Sequence, residues 1–119
     1  MKDFKNLKVW NKSHKLTLKI YGTTRTFPLE EIYGLKSQMR RASVSIPTNI
    51  AEGCGRNSDA ELARFLEIAM GSASELEYLV LLSKDLNFCD AKVYNSLTAE
   101  IIEIKQMLAT FIKKIRSAC

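Results

Sequence analysis

The sequence predicts an all-α fold, an antiparallel up-down-up-down four-helix bundle. Apolar residues recur at spacings of three and four through most of the chain, and no segment sustains the alternation of a half-buried strand. Breaks at Phe27-Pro28, at Gly53 to Gly55 and near Asp90 cut the chain into four long pieces. Short connections between long helices make neighbours antiparallel.

The first helix is expected from about Leu7 to Thr26. Leu7, Trp10, His14, Thr17 and Tyr21 trace one seam, and Val9, Leu16 and Ile20 widen it. Phe27-Pro28 ends it, because the residue before a proline is pushed out of the helical region. Pro28 suits the first position of a second helix, running to about Glu52, with Glu30 and Glu31 near its positive end. Ile32, Leu35, Met39, Ala42, Ile46 and Ile50 form its apolar face. Gly53 and Gly55 are expected to supply left-handed conformations that close it.

Ser58 and Glu61 read as a capping box for the third helix, which extends to about Leu86. Leu62, Phe65, Ala69, Ser72, Leu76, Leu79, Ser83 and Leu86 form a heptad seam. Its middle is small, from Ala69 through Gly71, Ser72, Ala73 and Ser74, so two helices can approach closely there. Asp90 caps a fourth helix that runs to about Ile115 on a seam of Val93, Leu97, Ile101, Ile104, Leu108, Phe111 and Ile115.

The 119 residues suggest a single domain over 1–119, and a chain of this size can fold without a disulfide or metal. An apolar content of 46% with only seven Gly and Pro argues against disorder. The polar start, Met1 to Asn6, lacks a signal core, and no apolar run reaches membrane-spanning length, which points to a cytoplasmic protein with no membrane contact. Cys54, Cys89 and Cys119 are widely spaced and His14 is the sole histidine, so neither a metal site nor a cofactor is expected.

The net charge of +5 is uneven. Residues 1–56 carry eleven Lys or Arg against four Asp or Glu, whereas residues 57–119 carry seven against nine. Such asymmetry points to a polyanion or an acidic partner.

Three features could carry function. Lys5, Lys8, Lys12, Lys15 and Lys19 lie in one strip of the first helix with no acidic residue between them in that strip. The strip is either a solvated face or a surface for phosphates, whose contacts would be sequence-independent and salt-sensitive. Arg40 and Arg41, with Lys36, Arg56 and Arg64, suit bidentate binding of phosphate or carboxylate. They suit equally ion pairs with Glu52, Glu75 or Glu77, within the chain or across a subunit boundary. Ser43, Ser45, Thr48, Asn49 and Glu52 surround Pro47, whose missing N–H frees the carbonyl of Ser43. Nearby hydroxyls and the Asn49 amide are candidates to satisfy it, and a small-ligand pocket around Asn49 and Glu52 is a lesser reading.

Catalysis is poorly supported. A nucleophile–histidine dyad would have to use His14, on a face that reads as largely core, and no Glu-x-x-His motif or phosphate-binding Gly-rich loop occurs. Trp10, Tyr21, Tyr33, Tyr78 and Tyr94 mostly fall on apolar seams, so nucleic acid would be met at its backbone.

The segment Gly34-Leu35, Gln38, Arg40-Arg41-Ala42, Ser45-Ile46-Pro47, Asn49-Ile50-Ala51-Glu52-Gly53 and Gly55-Arg56 resembles the small bacterial proteins called S23 ribosomal protein, or 23S rRNA intervening-sequence protein. Val9-Trp10, Arg64-Phe65-Leu66, Gly71-Ser72-Ala73 and Glu75-Leu76 extend the likeness. The resemblance implies a four-helix bundle without established enzymatic activity. Pro47, Asn49, Glu52, Gly53 and Arg56 belong to the motif, in a structural or interface role. A related fold serves as the accessory variability determinant of diversity-generating retroelements, a pentamer that binds nucleic acid and a protein. By that analogy a homo-oligomer, a pentamer, is expected here. The expected function is thus non-catalytic contact with an RNA or DNA backbone through Lys8, Lys12, Lys15, Lys19, Arg40 and Arg41, together with a possible protein partner. The alternative is a protein–protein scaffold that never touches nucleic acid.

Overall fold

Four α-helices make up most of the computed structural model, which describes residues 2–117. They are α1 (Lys8–Thr24), α2 (Leu35–Cys54), α3 (Asp59–Asp85) and α4 (Ala91–Ser117). Among the described residues there is no strand. Each helix packs on its sequence neighbour and α4 returns to α1, which closes the antiparallel bundle. The body measures 46 × 23 × 20 Å. Leu16 and Ile20, Met39, Ile46 and Ile50, Leu66 and Leu76, and Ile101, Ile104 and Leu108 meet in its fully buried centre. Each such side chain stabilises the fold by roughly 1.5–3 kcal/mol relative to exposure.

The core face of α1 differs from the expected seam. Val9, Ser13, Leu16, Thr17, Ile20 and Thr24 are buried, Trp10 is half-buried, and His14 and Tyr21 are exposed. Polar residues can occupy the core stripe because their hydroxyls find carbonyls on their own helix. Ser13 donates to Trp10 O (2.9 Å) and Thr24 to Ile20 O (2.7 Å). His14 instead stacks on Trp10, with ring centroids 5.1 Å apart.

The second helix starts later than Pro28 suggests. Leu29–Glu31 forms a 3-10 turn, and α2 begins at Leu35. Glu31 explains the delay, because its carboxylate accepts the Leu35 N–H (2.9 Å) and so caps α2 from outside. Gly34 makes room for this cap, since a Cβ there would lie 2.8 Å from Glu31 Oε1. Ile32, expected on the apolar face, is consequently outside α2 and exposed.

The glycines after α2 also act differently from expectation. No glycine has a positive φ among the described residues. Gly53 lies inside α2, buried, where a Cβ would come within 2.9 Å of Leu62 Cδ1 and 3.0 Å of Phe65 Cβ. Its role is close approach of α2 to α3. The left-handed residue is Asn87 (φ 64°), just past α3. There Phe88 N–H reaches Ser83 O (2.8 Å) and Asn87 N–H reaches Lys84 O (2.9 Å), the Schellman pattern. Phe88 then packs on Phe27, joining the two turns at that end.

Ser58 caps α3 through Glu61 N–H (3.2 Å), while the Glu61 carboxylate turns to Arg64 rather than back to the cap. Asp90 caps α4 through Val93 N–H (2.8 Å). The small stretch of α3 works in part. Ala69 and Ala73 are fully buried and Ser72 bonds Ser45 of α2, whereas Gly71 and Ser74 are exposed.

Candidate nucleic-acid interface

Because α2 buries Leu35, Met39, Ala42, Ile46 and Ile50, its opposite face must carry Lys36, Ser37, Arg40, Arg41, Val44 and Thr48. That face and the end of α1 form a groove of about 700 Å³. Lys36, Arg40, Arg41, Tyr21, Ile32, Val44 and Asn49 line it with three hydroxyl residues, and no carboxylate does.

Arg40 is held in place by α1. Its Nε–H donates to Thr24 Oγ1 (2.9 Å) and its Nη2 to Tyr21 O (3.1 Å). The guanidinium also lies over the Tyr21 ring, 4.4 Å from the centroid. Buried Thr24 accepts from Arg40 and donates to Ile20 O, so its hydroxyl is satisfied in both directions. Two of the five guanidinium donors are thereby used, and the rest stay available to an anion. Arg41 is exposed and makes no ion pair among the described residues. Neither arginine pairs with Glu52, Glu75 or Glu77, and Glu77 is taken by Lys105 (2.9 Å). Among the described residues of one chain, neither arginine forms the ion pair that the alternative requires.

The lysine row of α1 faces α4. Lys12 bonds Glu103 (2.9 Å) and Lys19 bonds Glu100. The Lys12 hydrogen bond pulls the Glu103 carboxyl below its ordinary range. Lys8 and Lys15 are exposed and make no ion pair among the described residues, and Lys5 lies on a 3-10 turn (Phe4–Asn6) before α1. The strip is uninterrupted along its own helix but is partly neutralised by the helix beside it.

The polar cluster at Pro47 ties helices together. α2 runs through Pro47 unbroken. The Ser43 carbonyl, which loses its helical donor to the proline, lies 2.9 Å from the Thr17 hydroxyl of α1. That hydroxyl is also 3.0 Å from Ser13 O, so it bridges the two helices. The partner is thus across the interface and not among the neighbouring residues of α2. Asn49 Nδ2 donates to Ser45 O (2.8 Å) and Ser45 Oγ (3.0 Å), and Ser45 meets Ser72 of α3 (2.8 Å). Glu52 is exposed at the end of α2 and its carboxylate makes no hydrogen bond among the described residues.

At the turn after α2, Arg56 and Arg64 both lie over Phe65, 4.7 and 4.6 Å from its centroid. The Arg64 bond to Glu61 (3.1 Å) also pulls that carboxyl below its ordinary range. These arginines sit at the opposite end of α2 from Arg40, so the structure does not bring them into the groove.

Sequence reasoning missed Tyr21 as a groove wall, Thr24 as the support of Arg40, and Glu100 and Glu103 as partners of the lysines. The helical wheel of α2 already contained Ser37, Val44 and Thr48 on the face of Arg41. Tyr33 (93% exposed) and Tyr78 (59%) are likewise surface groups rather than core. Burial raises the Cys54 thiol above its ordinary value, which suits an inert core cysteine. Cys119 lies outside the described residues. Among them no group of three His, Cys, Asp or Glu side chains converges as a metal site, and no helix is long and apolar enough to cross a membrane.

Fold and surface together define a small helical-bundle protein whose distinctive face is cationic. The chain belongs to the family described as 23S rRNA-intervening sequence protein, whose profile matches residues 5–110. A crystal structure of a protein of unknown function from the S23 ribosomal protein family of Bacteroides thetaiotaomicron is similar to it. The two share 27% sequence identity and a TM-score of 0.80, over 88% of this chain and 98% of the other. Among curated proteins there is no match.

Proposed function

We propose that this protein is a non-catalytic, homo-oligomeric binding module that contacts the backbone of RNA or DNA through the α2 groove. The carboxylate-free lining is the observation that carries this reading: three cations converge there with hydroxyl and amide groups. Arg40, pre-positioned by Thr24 and Tyr21, meets a phosphate oxygen without first losing rotamer freedom. Lys8 and Lys15 offer a second, weaker contact on another face. The family name of the relatives is compatible with an RNA partner. Self-association, as the pentamer implied by the resemblance, is supported by exposed Ile68, Tyr78, Leu81 and Ile102 on α3 and α4. Light scattering measures it directly.

The deciding experiment is binding of a labelled structured RNA and a duplex DNA across a salt series. The expected result is sub-micromolar affinity that falls steeply with salt, with a logarithmic slope of about −2 to −3 for three phosphate contacts. No binding at low salt would pass the lead to the scaffold reading. Two exposed carboxylates favour that reading, since Glu52 and Glu75 make no ion pair among the described residues and could meet Arg41 of another copy. A complex that survives nuclease treatment would support it.

A further inference from the structure

The helices are unequal, and the mismatch leaves apolar side chains of α4, Met107 and Phe111, only half-buried. α4 has 27 residues and α1 has 17. The Lys12–Glu103 and Lys19–Glu100 pairs set an antiparallel register in which the start of α1 at Lys8 lies between the levels of Met107 and Phe111. About the last six to ten residues of α4 therefore run past α1, a length of roughly 9–15 Å or about two to three turns. The segment before α1 covers this stretch only in part. It leaves a groove of about 830 Å³ whose floor is Leu7, Val9, Met107 and Phe111.

Its rim is cationic. Lys2, Lys8 and Lys114 line it against two carboxylates, Asp59 and Glu103, and Glu103 is already engaged by Lys12. Backbone phosphates would satisfy the lysines but leave the apolar floor uncovered, so the groove calls for an occupant with two faces. We propose that it docks an acidic amphipathic helix of a partner protein. The apolar side of that helix fills the length α1 leaves open, and its carboxylates meet the three lysines. Half-buried Met107 adapts to different apolar side chains, which suits such a contact. This surface is separate from the α2 groove, and the proposal stands without nucleic-acid binding.

The test uses the full chain and two labelled synthetic peptides, each an amphipathic helix of four turns with leucines on one face. One peptide carries glutamates on the other face and its twin carries lysines. Fluorescence anisotropy is expected to show saturable binding of the glutamate peptide, at least about tenfold tighter than the twin. Met107→Glu should weaken it by more than about tenfold, because it places a charge on the apolar floor. Lys8→Glu with Lys114→Glu should weaken it several-fold, and circular dichroism should show unchanged helicity. Equal binding of the two peptides, or no saturable binding, overturns the proposal. So does a Met107→Glu variant that keeps peptide binding but lowers the mass of the assembly, since the groove would then be a contact between copies of this chain.

Discussion

The lysine row of α1 and the arginine groove of α2 look alike as sequence and differ as surfaces. Both are clusters of like charge on the polar side of an amphipathic helix. In the row, Lys12 and Lys19 are engaged by Glu103 and Glu100 of α4. In the groove, Lys36, Arg40 and Arg41 line a wall without a carboxylate, Arg41 reaches Glu75 only across a separate small cavity and forms no ion pair with it, and Arg40 is clamped by uncharged oxygens of α1. The charge of a helix face is therefore settled by its neighbour as much as by its own residues. A cation held by a hydroxyl and a carbonyl keeps its full charge for a ligand, whereas one held by a carboxylate has already spent it.

This contrast can be broken most directly at the groove. Lys36→Glu with Arg41→Glu leaves the Arg40 clamp intact and should lower polyanion affinity by about a hundredfold at low salt. Reversing as many charges in the row, Lys12→Glu with Lys19→Glu, should cost at most about tenfold. Filter binding of both variants ranks the two surfaces, and the opposite ranking would make the row the main interface. Thr24→Val removes the Arg40 acceptor while keeping shape. It should cost about 1–2 kcal/mol of stability in urea unfolding and weaken binding several-fold if clamping matters. A stability loss with unchanged affinity would assign Thr24 to packing alone.

The smallest effect sharpens the other side of the comparison. Glu100→Gln with Glu103→Gln should free two lysines, raise affinity a few-fold and steepen the salt slope by about one to two. Acid should act in the same direction. The folded-state pKa of Glu103 lies below its ordinary value, so the Lys12 pair contributes above the unfolded value and is lost as pH falls through the folded one. A pH series that falls through the lowered Glu103 pKa should release Lys12 in the parent chain, and this transition should be missing in the double variant. NMR of the lysine side chains reads this directly.

Much of the bundle was legible in the sequence. The seams of α3 and α4 and the caps Ser58 and Asp90 needed only local spacing and local hydrogen bonds. Errors arose where a residue's role depends on another element. Gly53 read as a helix stop because a glycine near a helix end commonly is one, yet its purpose is the close approach of Leu62 and Phe65. Pro28 read as the first residue of α2, but the Glu31 cap moved the start to Leu35. The expected seam of the first helix omits Ser13 and Thr24, because hydroxyls that bond their own helix are polar in sequence and tolerable in a core.

The functional groups divide in the same way. Arg40, Arg41 and Lys36 were evident as a cluster, as was the problem that Pro47 creates at Ser43. Only packing supplied Thr17 to the freed carbonyl, Thr24 and Tyr21 to Arg40, and Glu100 and Glu103 to the lysines. By itself the sequence determined the four helices, the apolar seams of α3 and α4 and the overall excess of positive charge, because each depends on composition and spacing along one segment. Which cations remain free, and where α4 is only partly covered, was decided by the tertiary structure. Electrostatic pairing and burial act through space, between residues up to 91 positions apart in the chain.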